Sequence, residues 1–229
     1  MNHPQGKIMK RIVAAGVALA VFGMLGGCAT TRGVTRLTVP EPDAVVTRSS
    51  AKIIVIDRVR DAREFQVDPR DPSIPSLKPG KKYQLDATQR ETAIGRKRGS
   101  FGKAMGDWVL QDGQTVDSIT RELLATTLRS LGYQIAVAST GNANAEHVNV
   151  VINQFWAWFT PGFWTASIEA KVRTQLQFSG PDGDKSIVVN GYGRNQVQTG
   201  REANWQLAYD RAFKDYEKNL REAMGGSGP

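Results

Sequence analysis

The sequence predicts an α+β fold: one mostly antiparallel twisted sheet of about five strands, with two helices packed on one face. Three observations carry this. Residues 165–178 alternate strictly, with Ile168, Ala170, Val172 and Leu176 set against Glu169, Lys171, Arg173 and Gln175. Such alternation marks a strand with one buried and one wet face. A turn signal, "GPDGD", joins this segment to "KSIVVNGYGRNQV" (185–197), its hairpin partner. Two stretches, 115–131 and 199–223, carry apolar residues at helical spacing instead.

The elements follow in chain order. "AKIIVIDRVRD" (51–61) opens on a β-branched apolar run and reads as a central strand. The next thirty or so residues carry Pro69, Pro72, Pro75 and Pro79, which forbid a helix or a central strand. They read as a long loop, continued by the glycine-rich "IGRKRGSFGKAMGDWVLQDG" up to an apolar segment at Trp108 and Val109. In the first helix Val116, Thr120, Leu123, Leu124, Leu128 and Leu131 share a face. Thr115 can cap its start and Gly132 can end it in the left-handed conformation. Tyr133–Ala138 then make a short strand, and "HVNVVINQFWAWF" (147–159) a longer one. In the last helix Trp205, Ala208, Tyr209, Ala212, Tyr216 and Leu220 form the stripe, and Thr199 and Glu202 have capping-box spacing.

The first thirty residues concern location. Lys7, Lys10 and Arg11 precede sixteen uncharged residues, Ile12–Gly27. A membrane-spanning helix needs about 20 apolar residues, so this shorter run, rich in Gly and Ala, reads as a secretory signal. A plain signal with an incidental Cys, or a retained anchor, are the alternatives. Its end, Leu25-Gly26-Gly27-Cys28, resembles the bacterial lipobox. That resemblance implies a diacylglyceryl thioether on Cys28, cleavage after Gly27 and acylation of the new amino terminus. Several acyl chains hold a protein stably where one does not. Ala29, rather than Asp, follows the Cys and points to the outer membrane. The expected organisation is a signal peptide at 1–27, a flexible tether at 28–50, one α+β domain at 51–223 facing the periplasm, and a flexible tail at 224–229.

Composition narrows the chemistry. Loss of Lys7, Lys10 and Arg11 lowers the net charge from +8 to +5. An exported, mildly basic chain suits anionic headgroups or wall polymers rather than nucleic acid. Cys28 is the only cysteine, so lipidation leaves none for a disulfide. His147 is the only histidine beyond the signal, too few for a usual zinc site or a His-based triad. No metal or cofactor is expected. "GRKRGSFGKA" fails the phosphate-loop pattern at Lys97 and Ala104, and "GYGRNQ" fails the dinucleotide pattern at Gln196. Asp57, Asp61, Asp107, Asp117 and Glu122 could supply a carboxylate pair, but their spacing selects none.

The run "FWAWFTPGFW" packs Phe155, Trp156, Trp158, Phe159, Phe163 and Trp164 around a turn. Alternation sets Phe155 opposite Trp156 and Trp158, so one core cannot take them all. The rings either fill the sheet–helix core or, at Trp156, Trp158, Phe159, Phe163 and Trp164, form an exposed tip for a membrane or partner. Arg96, Lys97 and Arg98 are either a wet loop or contacts to lipid phosphates.

The lipobox, "IIVIDRVRDAR", "AIG" after a long loop, "LLATTLRSLGYQI" and the closing strands and helix together resemble the YajG-like family of bacterial lipoproteins. The resemblance implies an outer-membrane lipoprotein and carries no catalytic residue. The expected function is therefore non-enzymatic: binding or assembly in the cell envelope, with an envelope protein or a second copy as partner. The alternatives are a wall-acting hydrolase with paired carboxylates, or a ring-forming subunit.

Overall fold

The computed structural model describes residues 32–42, 45–47, 51–77, 87–98, 104–137, 144–162, 165–181, 183–197 and 201–225. Cys28 with the apolar run before it, Phe163, Trp164 and Thr199 lie outside the described residues.

Among the described residues the sheet has eight strands: β1 (Gly33–Thr35), β2 (Ile53–Asp61), β3 (Ala93–Arg98), β4 (Ala104–Leu110), β5 (Gln134–Ala136), β6 (Glu146–Thr160), β7 (Ala166–Ser179) and β8 (Lys185–Val197). The helices are α1 (Ala87–Thr92), α2 (Val116–Ser130) and α3 (Glu202–Ala223). β6 is the axis. Along one side it pairs antiparallel with β7, which pairs antiparallel with β8. Its other side is shared end to end by two strands. β2 runs parallel to residues 146–152 and is flanked by parallel β5; β3 runs parallel to Ala157 and Trp158. Beyond β3 lie β4, antiparallel, and then β1, parallel to β4.

The sheet is therefore mixed and eight-stranded, not an antiparallel sheet of about five. The three added strands were hidden for identifiable reasons. β1 falls in the segment read as tether, yet Leu37 and Val39 just after it are also buried in the core. β3 and β4 fall in the glycine-rich stretch read as loop. Gly95 is needed there, because a Cβ would stand 2.8 Å from the Ala157 carbonyl and 2.9 Å from the Trp205 ring. The short helix α1 also lies in that long loop.

Both long helices cover one face, as the two apolar stripes require. Thr115 caps α2, its Oγ1 accepting from the Ser118 N–H at 3.1 Å, and Gly132 has φ +81°. At α3 Glu202 does not take the position that the expected capping box gives it. The N-cap is Arg201, with no side-chain cap, and Glu202 is the first helical residue. α3 lies directly on β8, where Gly191 and Gly193 leave the helix backbone its space. Phe155 stacks on Tyr209 with ring centres 5.1 Å apart, and the Tyr209 hydroxyl donates to the Ile94 carbonyl at 2.5 Å. Met224 packs against this core, so the chain is still attached where the tail was expected to begin.

Candidate functional site

The face away from the helices carries the tryptophans of the aromatic run. A β-bulge between Ile152 and Gln154 re-phases β6. After it Phe155 and Ala157 point to the helices, and Trp156 and Trp158 to the other face. There the Pro-rich segment 62–77 folds over them. Trp156 Nε1 donates to the Pro72 carbonyl at 3.2 Å, Phe65 meets the Trp156 ring edge-on, and Leu77 and Ala93 complete a second small core.

Trp156 is fully buried and Trp158 is 8% exposed. They are core residues of a second layer, not the exposed contacts that the tip reading required. Phe159 is partly buried against the main core. The basic triplet is likewise turned to internal use. Arg96 is buried, donates to the Leu77 carbonyl at 3.1 Å and faces Asp107 at 3.8 Å; burial pushes its guanidinium pKa down. Lys97 Nζ sits 4.8 Å from the Trp108 ring centre, and Arg98 donates to the Pro69 carbonyl at 3.2 Å. Phe163 and Trp164 are outside the described residues.

The residue that organises this face is one that sequence reasoning passed over. β2 reaches Ile152 of β6 and β3 begins at Ala157, which leaves a gap on that side. The side chain of Arg63, wholly inaccessible, fills it. Its Nη1 donates to the carbonyls of Ala93 at 2.6 Å and Phe155 at 2.8 Å. Its Nη2 donates to the Arg90 carbonyl at 2.6 Å and to Asp61 Oδ2 at 2.7 Å, and its Nε to Asp61 Oδ1 at 2.9 Å. All five N–H groups are used, which only a guanidinium fork can do.

Arg63 belongs to a cleft of about 330 Å³ whose walls include Arg58, Arg60, Asp61, Arg90, Glu91 and Asp117. A second cleft of about 320 Å³ shares Arg58 and Arg60 and adds Asn149, Val151 and Gln177 from β6 and β7. The two arginines thus form a ridge between two hollows. β2 changes register between Ile56 and Val59 to make it, and bulges commonly re-aim side chains in this way. Three arginines in "DRVRDAR" following an apolar strand were the available signal.

Of the five carboxylates weighed, the fold brings Asp61 and Asp117 to one cleft. Asp61 is fully engaged by Arg63. Asp117 has one carboxyl oxygen buried without a hydrogen-bond partner, and desolvation, then the Asp61 charge, raise its pKa. The others are scattered: Asp57 pairs with His147 at 3.0 Å on the surface, Asp107 lies beside Arg96, and Glu122 is exposed on α2. Among the described residues no three His, Cys, Asp or Glu side chains gather as metal ligands.

Beyond the loop, β7 and β8 keep this face open. Tyr192 projects from it, its hydroxyl donating to Glu169 at 2.7 Å; partial burial and that carboxylate push its pKa up to about 12. The free edge of β8 is occupied from the side. Asp215 accepts from the Tyr192 backbone N–H at 2.9 Å, Asn219 donates to the Asn190 carbonyl at 2.8 Å, and Arg211 donates to the Arg194 carbonyl. Residues 211, 215 and 219 are one turn apart on α3, and 194, 192 and 190 are alternate positions on β8. One helix row therefore takes backbone groups that an added strand would need.

No family model matches the chain, and no curated protein matches it. Among solved structures, it is similar to an uncharacterized protein at 8% identity, covering 85% of this chain and 99% of that one, with a TM-score of 0.45. It is similar to a Xanthomonas campestris protein of family DUF330 at 11% identity, covering 82% and 91%, with a TM-score of 0.46. A neuraminyllactose-binding hemagglutinin homologue from Helicobacter pylori aligns at 10% identity over 83% and 92%, with a TM-score of 0.35.

Proposed function

We propose that this protein is a non-enzymatic component of a bacterial cell envelope. It is held to the outer membrane through lipid on Cys28, faces the periplasm, and binds or helps assemble another envelope protein. The lipobox and the YajG-like resemblance support the anchoring. The observation that carries the binding half is the bare sheet face over β7 and β8. Two strands of 14 and 13 residues present Arg173, Gln175, Gln177, Asn190, Tyr192 and Arg194 with no helix above them among the described residues. A flat, hydrogen-bonding and cationic face of that length suits a large partner better than a small substrate.

A photo-crosslinking residue at Arg173 or Tyr192, in intact cells, tests this. The expected result is an adduct with a distinct envelope protein that a probe at Lys218, exposed on α3, does not give. Equal capture from both faces overturns the reading. Adducts made only with a second copy favour the ring instead, which would have to use β1 or β5, since α3 occupies the edge of β8.

One observation favours the hydrolase alternative, the meeting of Asp61 and Asp117 in one cleft. Asp61 is bound up in its pair with Arg63, which leaves Asp117 and exposed Glu91 as the acids of that cleft. Wall hydrolysis by the native chain that Asp117→Asn abolishes would establish the enzyme and displace the binding proposal.

A further inference from the structure

The strand registers specify which end of the domain meets the bilayer, and this inference rests on the lipid-anchored reading above. β1 begins at Gly33, five residues after Cys28. Five residues span at most about 17 Å even when fully extended. The sheet therefore starts within that distance of the residue that would carry the acyl chains. The segment expected to act as a long tether leaves only four residues between Cys28 and the sheet.

Gly33 lies beside Trp108, Trp108 beside Gly95, Gly95 beside Ala157, Ala157 beside Ala170, and Ala170 beside Gly193. β1 and β4 run opposite to β3 and β6. Following β1 backward toward Cys28 is therefore to move toward Arg98 on β3, Thr160 on β6, Ala166 on β7 and Val197 on β8. At that end Arg32, Pro161, Gly162, Thr165 and Arg201 are exposed, and Lys97 and Arg98 are half-buried. Among the described residues, the charges that oppose them there include Glu202, on the first turn of α3, and exposed Asp68, next to the Pro69 carbonyl that Arg98 holds. The other end of the long strands lies some ten residues of β6 away, roughly 34 Å. It carries exposed Asp184 and Lys185, the latter paired with Glu146 at 3.0 Å.

We propose that the domain stands end-on upon its membrane. The end marked by Arg32, Pro161, Gly162 and Arg201 rests against anionic headgroups, and the end marked by Asp184 points away. A short leash sets the distance. The cationic excess selects the face, since basic side chains close to an anionic surface are drawn to it and their attraction fades within a Debye length. In this pose the bare β7–β8 face stands upright beside the bilayer, open to a partner approaching laterally.

A lipidated Cys28 has no thiol, so a cysteine introduced elsewhere is the only one that reacts. Thr165→Cys and Asp184→Cys, each in the full chain, are labelled with an environment-sensitive fluorophore. The protein is then placed in phosphatidylglycerol–phosphatidylethanolamine vesicles containing a headgroup-level quencher. The label at 165 is expected to be quenched several-fold more than the label at 184. Insertion of fifteen Gly/Ser residues between Thr31 and Arg32 is expected to abolish that difference while the protein still floats with the vesicles. A protein that floats but shows equal or reversed quenching overturns the orientation alone. A quenching difference that persists undiminished in phosphatidylcholine vesicles overturns the role given to the cations. Flotation and intact mass report separately on the anchor: a chain that sinks and retains a free Cys28 thiol removes the lipoprotein reading itself.

Discussion

The two sides of β6 are built on different terms. Toward β7 and β8 the sheet is a long antiparallel ladder, interrupted by the bulge between Ile152 and Gln154, with thirteen residue pairs between β6 and β7 and thirteen between β7 and β8. Toward β2 and β3 it is two short parallel sections with a gap between them, spliced by Arg63. On the first side each residue pair adds a little, and no single side chain is indispensable. On the second, one buried guanidinium satisfies three carbonyls and a carboxylate that have no strand to serve them. Stability is spread along one flank and concentrated on the other.

The sharpest way to break that contrast is Arg63→Ala. It leaves Asp61 without its partner and the Arg90, Ala93 and Phe155 carbonyls without their donor. Removal of one member of a buried ion pair costs about 3–5 kcal/mol. Urea unfolding should show a loss of that size, and Arg63→Lys should recover less than half of it, because an ammonium cannot serve the fork. A loss under about 1 kcal/mol for Arg63→Ala would mean that the two parallel sections hold without the splice.

The difference between the flanks also explains what was readable in the sequence. β7, β8, α2 and α3 came out with nearly their observed limits, because hairpins and amphipathic helices are encoded by residues near one another. β1, β3 and β4 did not. β1 pairs with a distant strand, the antiparallel pairing of β3 with β4 is interrupted by two register shifts, and Gly33 and Gly95 carry no periodic signal, although each lies where a Cβ would strike Trp108 or Trp205. The aromatic run was half legible. Alternation correctly divided Phe155 from Trp156 and Trp158, but nothing in a segment with four prolines announces that it will fold over two tryptophans. For the same reason the cleft was illegible: Asp61 and Asp117 are 56 positions apart, and only the path of β2 beside α2 makes them neighbours.

The antiparallel flank has a weak point of another kind. At Gly191 an added Cβ would stand 2.2 Å from the Ala212 carbonyl oxygen and 2.6 Å from Tyr216 Cβ. Both belong to the α3 layer, and a backbone carbonyl cannot rotate aside. Gly191→Ala should cost about 1–3 kcal/mol, the usual range for overpacking, less than Arg63→Ala. The same unfolding measurement ranks the two. If Gly191→Ala proves the more damaging, the seat of α3 on β8 rather than the splice is the critical joint.

The smallest effect concerns Asp117, on the spliced flank. Burial and the Asp61 charge hold its carboxyl above the ordinary range, so the folded chain keeps this proton to higher pH than the unfolded chain does. The unfolded group titrates near about 3.9. Between that value and the raised folded one, the native state binds more protons than the unfolded state, and stability from this group falls as pH rises. Asp117→Asn removes the titration and leaves the Thr115–Ser118 cap in place. Its stability relative to the native chain should therefore increase as pH climbs from about 3.9 and level off once the native carboxyl has ionised. Urea midpoints for both chains between about pH 3.5 and 7 give the curve. Parallel profiles, or a variant that loses ground as pH rises, would mean that the cations acting on the Asp117 carboxylate outweigh its burial. Arg121, four residues further along α2 and one of those cations, is the group to substitute next.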